Sequence, residues 1–280
     1  NGGYALGARA AQIRDDLFAL KTFDEKSLLT IALDDRALFL KRWQEFLLNE
    51  VLNEQVLAEY KQFAEVKSIL SKDKELTAST DSVSYRVVRN FRINVRNLLF
   101  SELNDTFKNL TEAYDFHSIS SQIEIPLWQL VNQQPDNFLM RPLASWQAIF
   151  NQALQETIDD MTNLGTGETV PLTKATWGQQ NTTEIRHPLS QSVPFIGKWL
   201  DMPTIALSGD SYMPKVQGKS FGASERMVVS PGHEETGIFH MPTSQSGHPW
   251  SPYYGLGHDD WVKGNPSPFL PGETKYTLTL

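Results

Sequence analysis

The distribution of helix breakers predicts an α+β chain, with a helical N-terminal half and a C-terminal half of short strands and loops. Proline is absent from residues 1–125 and glycine from 8–164, whereas residues 165–280 hold 14 Gly and 12 Pro. Both residues disfavour helix interiors and make turns, so the change near residue 164 separates two kinds of structure. Apolar residues recur at spacings of three and four before that point and fall in short runs after it. The chain is therefore divided at 1–164, mainly helical, and 165–280, rich in strands and turns.

Leu6, Ala10, Ile13, Leu17 and Leu20 lie along one stripe of a first helix. Thr22 with Glu25 has the capping-box pattern and predicts a second helix through Leu33. From Asp35 to about Leu70 the pattern stays helical, carrying Leu38, Phe39, Trp43, Phe46 and Leu47. A polar stretch over 71–82 ends it. Val87, Val88, Phe91, Val95, Leu98 and Leu99 then share one face of another helix. Pro135, Pro142 and the run 163–167 punctuate the chain after that helix, with a further helix predicted over 145–163. Beyond 165 the predicted strands are Thr204–Leu207, Met227–Ser230, Gly237–His240 and Tyr276–Leu280. They sit between turns such as Ser230-Pro231-Gly232 and Ser246-Gly247-His248-Pro249. These strands are few for the length, so the sheet they join is expected to be completed from elsewhere.

A chain of 280 residues with 40% hydrophobic content buries a core without disulfides or metals. The net charge is −8, made of −6 over 1–164 and −2 over 165–280, so neither part offers the basic surface that nucleic acid needs. No stretch approaches the ~20 apolar residues of a membrane span. There is no Cys, which excludes thiol nucleophiles, disulfides and Cys-ligated zinc, and suits an oxidising compartment.

Arg86, Arg89, Arg92 and Arg96 fall mostly on one side of their helix, without the interleaved aromatics that base stacking requires, and read as a solvated or ion-paired face. His187, His233, His240, His248 and His258 have no helical i, i+4 pair, so turn and core roles are expected rather than a metal site. The seven Trp are scattered and read as packing. Asp34-Asp35, Asp159-Asp160 and Asp259-Asp260 are adjacent pairs whose side chains point apart on a helix, poor acid/base partners. Asp34-Asp35 is expected to cap a helix. No Gly-x-Ser-x-Gly elbow occurs; Gly222-Ala223-Ser224-Glu225-Arg226 lacks the last Gly. There is no Gly-rich phosphate loop. Composition and spacing by themselves assign no activity.

Two stretches change this: Phe221-Gly222-Ala223-Ser224-Glu225-Arg226-Met227-Val228-Val229, and Gln245-Ser246-Gly247-His248-Pro249-Trp250-Ser251-Pro252-Tyr253-Tyr254. They resemble the C-terminal signature of the penicillin acylase family, which includes acyl-homoserine-lactone acylases. Leu33-Asp34-Asp35-Arg36-Ala37, Arg42-Trp43, Val88-Arg89-Asn90-Phe91-Arg92, Ser145-Trp146, Trp177-Gly178 and Arg186-His187-Pro188-Leu189 support the resemblance in order along the chain. Tyr253 departs from the His that many members carry, and the Gly255-Leu256-Gly257 insert stands where an Asp often comes next.

The resemblance implies an αββα N-terminal-nucleophile hydrolase fold, which the helical and strand-rich halves would complete. It also implies a precursor that cuts itself into an α chain and a β chain, giving a periplasmic heterodimer. The β chain's first residue, usually Ser, attacks the carbonyl of a linear amide while its own α-amine serves as base. A free amine with a pKa near ~8 can take that proton at neutral pH. Residue 1 here is Asn, so the nucleophile and its oxyanion donors are expected upstream. The chain then represents the C-terminal part of the β chain, inactive alone. Its partners would be the upstream β segment, the α chain and a small acyl-amide substrate of penicillin or acyl-homoserine-lactone type, with no nucleic acid and no membrane. No organic or redox cofactor is implied, and the calcium some members bind would have its ligands upstream. One site residue carries over: in Tyr4-Ala5-Leu6-Gly7-Ala8-Arg9-Ala10-Ala11-Gln12-Ile13, Arg9 matches the family Arg that supports the oxyanion and the substrate's polar group. Ser224, Arg226, Ser246 and Ser251 read as scaffold. The competing expectation is a non-catalytic binding module, with helices docking a partner and the Trp-rich tail holding a ligand.

Overall fold

A computed structural model describes residues 6–112, 114, 119–120, 122–139, 145–163, 165 and 167–279; Asn1, Pro142 and Leu280, which the sequence analysis used, lie outside them. The fold is mixed and helix-rich, with one small two-stranded sheet among the described residues. The chain forms two compact units. One holds Ala37–Thr77 and Asp81–Trp177; the other holds Arg9–Arg36, Ala78–Thr80 and Gly178 onward. The change in composition thus marks a change in structural type, while the units divide the chain elsewhere: residues 9–36 group with 178 onward, and the helical unit runs on to Trp177.

In the helical unit, α3 (Leu38–Phe46) passes into a wide turn over Leu47–Val51, then α4 (Glu54–Glu59) and α5 (Phe63–Lys72). The span expected to be helical to about Leu70 is helical, but interrupted. Asn53 is the reason: its side chain accepts from Val56 N at 3.0 Å and starts a new helix. Helix α6 (Val83–Leu110) begins where the Ser82 hydroxyl accepts from Tyr85 N and spans about 40 Å. It buries Val87, Val88, Phe91, Val95 and Leu99 of the stripe read from the sequence, leaves Leu98 half-buried, and packs most extensively against α8 (Trp146–Thr162), with Phe91 meeting Trp43 of α3. Ser145 caps α8. Between them lies α7 (Glu124–Gln133).

The Arg row on α6 is only partly solvated. Arg92 is buried and donates from Nε to Glu124 at 2.7 Å, and Arg42 also reaches Glu124, which is 1% exposed. Trp43 Nε1 donates to the same carboxylate at 3.0 Å. Arg92 is therefore an ion-paired member of that face, bonded to a carboxylate that also binds Trp43 in a core with Phe46, Phe91, Trp128 and Phe150.

In the second unit, α1 (Ala8–Ala19) and α2 (Glu25–Ala32) form as expected, but the cap of α2 is different. Asp24 accepts from Ser27 N at 2.7 Å and Ser27 Oγ accepts from Asp24 N at 3.0 Å, so the box is Asp24/Ser27 and not Thr22/Glu25. Strands β1 (Arg226–Val228) and β2 (Ile238–His240) pair antiparallel with Arg226 opposite His240. Thr204–Leu207 forms no full strand but a single antiparallel bridge, Ala206 opposite Thr182, in which Thr183 N donates to the Ile205 carbonyl at 2.8 Å and Leu207 N to the Asn181 carbonyl at 2.7 Å; side chains take other backbone groups around it. Ile205 N donates to the Thr183 hydroxyl at 2.8 Å, and the buried Asn181 amide donates to the carbonyls of Leu207, Gly209 and Gln217 at 3.1–3.2 Å. The described residues of Tyr276–Leu280 carry no strand pairing. Helix α9 (His258–Lys263) brings Trp261 into the core, where it packs with Leu207 and Val262. A Cβ on Gly222 would stand 2.8 Å from the Trp261 ring, so that position requires Gly.

Candidate functional site

Helix α1 places Arg9 in its first turn, exposed, with Ile13 and Leu17 next along the same side. These three residues form part of the wall of a cleft of about 600 Å³, closed by Ile31 of α2, by Pro214 and by Met227 of β1. The wall is mainly apolar. Among the described residues, the Arg9 guanidinium makes no ion pair or hydrogen bond.

Behind the cleft the polar groups are buried. Arg226 is 5% exposed and donates from Nη1 to the Trp261 carbonyl at 2.8 Å, while its Nε and Nη2 have no partner among the described residues. Burial pulls its pKa down to about 10, so it remains a cation at neutral pH. Lys215 is also buried, which lowers its ammonium; Asp35 opposes this and Arg226 adds to it.

Helix α1 is tied down on its polar side. The Asp34 carboxylate accepts from Gln12 Nε2 at 2.6 Å, from Arg36 N at 2.9 Å and from the Arg36 guanidinium at 2.7 and 2.9 Å. Asp16 accepts from the same guanidinium at 2.6 Å. Burial raises the Asp16 carboxyl, and Asp34 beside it raises it further. Burial also pushes Asp34 upward, but its bonds from Arg36, Gln12 and Asp16 outweigh that and leave it lowered. Asp34 is thus no helix cap: α3 starts at Ala37 without a side-chain cap, and Asp34 instead closes a turn on Arg36 N. Sequence reasoning missed the Asp16–Asp34–Arg36 grouping. Asp34-x-Arg36 was its only local signal, and Asp16 is 18 residues away.

The remaining residues singled out from the sequence are scattered. Ser224 is exposed on the wall of a separate cleft of about 780 Å³ that also includes Arg186, Lys219 and Phe221, and its hydroxyl makes no hydrogen bond among the described residues. Ser246 and Ser251 close turns, accepting from His248 N at 3.4 Å and Tyr253 N at 3.2 Å. His187 caps a short helix, and His240 and His258 are core residues bonded to the carbonyls of Asn265 and Pro242. Among the described residues no three His, Cys, Asp or Glu side chains converge on a metal-sized site. Trp43, Trp146, Trp177 and Trp261 are buried, whereas Trp199 and Trp250 are exposed. Among the described residues no helix is long and apolar enough to cross a membrane.

The site's chemistry is that of an exposed cation on the wall of a mainly apolar cleft, able to meet a polar or developing negative group beside an apolar one. The sequence matches the family described as penicillin amidase over residues 1–276. No curated protein matches it. The family match spans all but the last four residues. On that ground the chain belongs to the penicillin amidase family.

Proposed function

We propose that this chain is the C-terminal portion of an acylase that hydrolyses a linear amide carrying an apolar acyl group, with a Ser nucleophile supplied by an upstream segment of the same precursor. Family membership carries the coarser statement, an acylase-type amide hydrolase. The finer reading is supported by Arg9, whose guanidinium has no partner among the described residues and lines the mainly apolar cleft.

In the proposed reaction the Ser hydroxyl gives its proton to the α-amine and adds to the amide carbonyl. The oxyanion that forms is stabilised by oriented donors, and Arg9 holds them and the substrate's polar group in place. Collapse expels the amine, which takes up the proton, and water then releases the acid from the acyl-enzyme. A guanidinium suits this role because it stays charged through the cycle and transfers no proton. The cleft walls, Ile13, Leu17, Ile31 and Met227, suit an alkyl or aryl acyl chain. Penicillin and acyl-homoserine-lactone amides both fit that description. The reading includes self-processing to a periplasmic heterodimer, inactivity of this chain alone, no organic cofactor, and any structural calcium held upstream.

The test is the N-terminal sequence and intact mass of the protein from its native cells, together with hydrolysis of acyl p-nitroanilides of graded acyl length. A larger chain that begins with Ser and contains this sequence, active on amides with apolar acyl groups, supports the reading. A mature protein that begins at Asn1 and hydrolyses none of them overturns it in favour of a binding module.

A further inference from the structure

We propose that Asp34 is a positioning residue for Arg9, fixing the rotation of α1 through Gln12, Asp16 and Arg36; this rests on the role given to Arg9. Residues 9, 12, 13 and 16 are three and four apart and share one side of the helix. Among residues of α1, only Gln12 is buried, while Phe18 is 83% exposed, so apolar packing does little to hold this helix.

Polar ties hold it instead. Gln12 Nε2 donates to Asp34 Oδ2 at 2.6 Å and to the Arg36 carbonyl at 3.1 Å. One turn further along, Asp16 receives Arg36 Nη2 at 2.6 Å, and that same group donates to Asp34 Oδ2 at 2.7 Å. A helix pinned at two successive turns on one side cannot roll, and Arg9 stands on that side one turn before Gln12. Asp34 also reaches the cleft wall. Its backbone carbonyl accepts from Lys215 N at 2.9 Å, and Pro214 and Val216 on either side of Lys215 line the cleft that holds Arg9. One residue thus joins the helix that carries the guanidinium to the wall it faces.

A displacement of about 1 Å in a group that supports a transition state is worth as much as ~100-fold in rate. The experiment is a double-mutant cycle in the active, processed enzyme. Wild type, Asp34→Asn, Arg9→Ala and the double variant are compared for kcat and KM on one acyl p-nitroanilide, with melting temperatures measured alongside. Asp34→Asn is expected to lower kcat by about tenfold in the wild type and by no more than about twofold in Arg9→Ala. Equal losses in both backgrounds overturn the proposal and leave Arg9's role standing. A kinetically silent Arg9→Ala removes that role and this proposal together, a result distinct from the first. Should Asp34→Asn not fold, Gln12→Ala run through the same cycle removes one of the two ties to α1, leaves the Asp34–Arg36–Asp16 pairing in place, and is expected to show the same dependence on Arg9 with a smaller loss; equal losses in both backgrounds overturn the proposal here too.

Discussion

In the helical unit Trp43, Phe46, Phe91, Trp128 and Phe150 meet ring to ring at 5.1–6.3 Å around a buried Glu124 that binds two arginines. In the turn-rich unit the work of assembly passes to side chains that bond to backbone. Asn181 serves three carbonyls, Gln217 and Arg226 both reach the Trp261 carbonyl, and Trp261 Nε1 reaches the Ala223 carbonyl at 2.7 Å. The first unit satisfies its backbone within helices, so its side chains are free to pack. The second has little regular structure, and polar side chains must satisfy what ladders would otherwise take. That second arrangement is also what surrounds the candidate site.

Given this contrast, the largest single loss falls in the helical unit. Glu124→Ala should cost about 3–5 kcal/mol in urea unfolding, because it leaves the buried Arg92 without its counter-charge. A loss under about 1 kcal/mol would mean that the aromatic cluster alone carries this core. Next in size is Asn181→Ala, expected to cost about 2–3 kcal/mol by stranding buried carbonyls, although no apolar contact is removed. Trp fluorescence locates each loss, since Trp261 reports on the turn-rich unit and Trp43 and Trp177 on the helical one.

The smallest effect is one of pH. Asp16 has a raised carboxyl in the folded protein, so folding favours its protonated form; that contribution is complete below the unfolded carboxylate pKa and is lost as pH rises through the raised value. Asp34 is lowered and acts oppositely, its contribution present at neutral pH and lost as pH falls. Asp16→Asn should therefore stabilise the protein at pH 7 relative to wild type, and the gain should shrink toward zero in acid. A gain independent of pH would show that charge at Asp16 is not its source.

The parts of the fold that were legible in the sequence divide along the same line. Helix α6 was readable from its 3.6-residue apolar stripe and α8 from the span between the breaks at Pro142 and 163–167; that Ser82 and Ser145 cap them is what the structure adds. The break at Asn53 was hidden by apolar spacing that runs across it, although Asn directly before Glu54 is itself a cap signal. Strands β1 and β2 were found within a residue or two of their ends. Thr204–Leu207 shrinks to a single bridge opposite Thr182, flanked by bonds from the Asn181 and Thr183 side chains, and that partner segment lies more than twenty residues earlier in the sequence. Periodicity gave α1 an apolar stripe, whereas the residue of α1 that is buried is Gln12, beside that stripe, and neither the grouping of residues 9–36 with 178 onward nor the Asp16–Asp34 contact was accessible. Arg9 came from family resemblance, and the structure adds the cleft in which it stands.

The most direct measurement of Arg9's role is kcat/KM of Arg9→Ala in the processed enzyme, on an amide substrate with an apolar acyl chain. A cation that supports the transition state predicts a fall of at least ~10-fold, or ~1.4 kcal/mol of transition-state stabilisation, with the melting temperature unchanged because Arg9 is exposed and has no partner among the described residues. Wild-type kinetics from Arg9→Ala would contradict it.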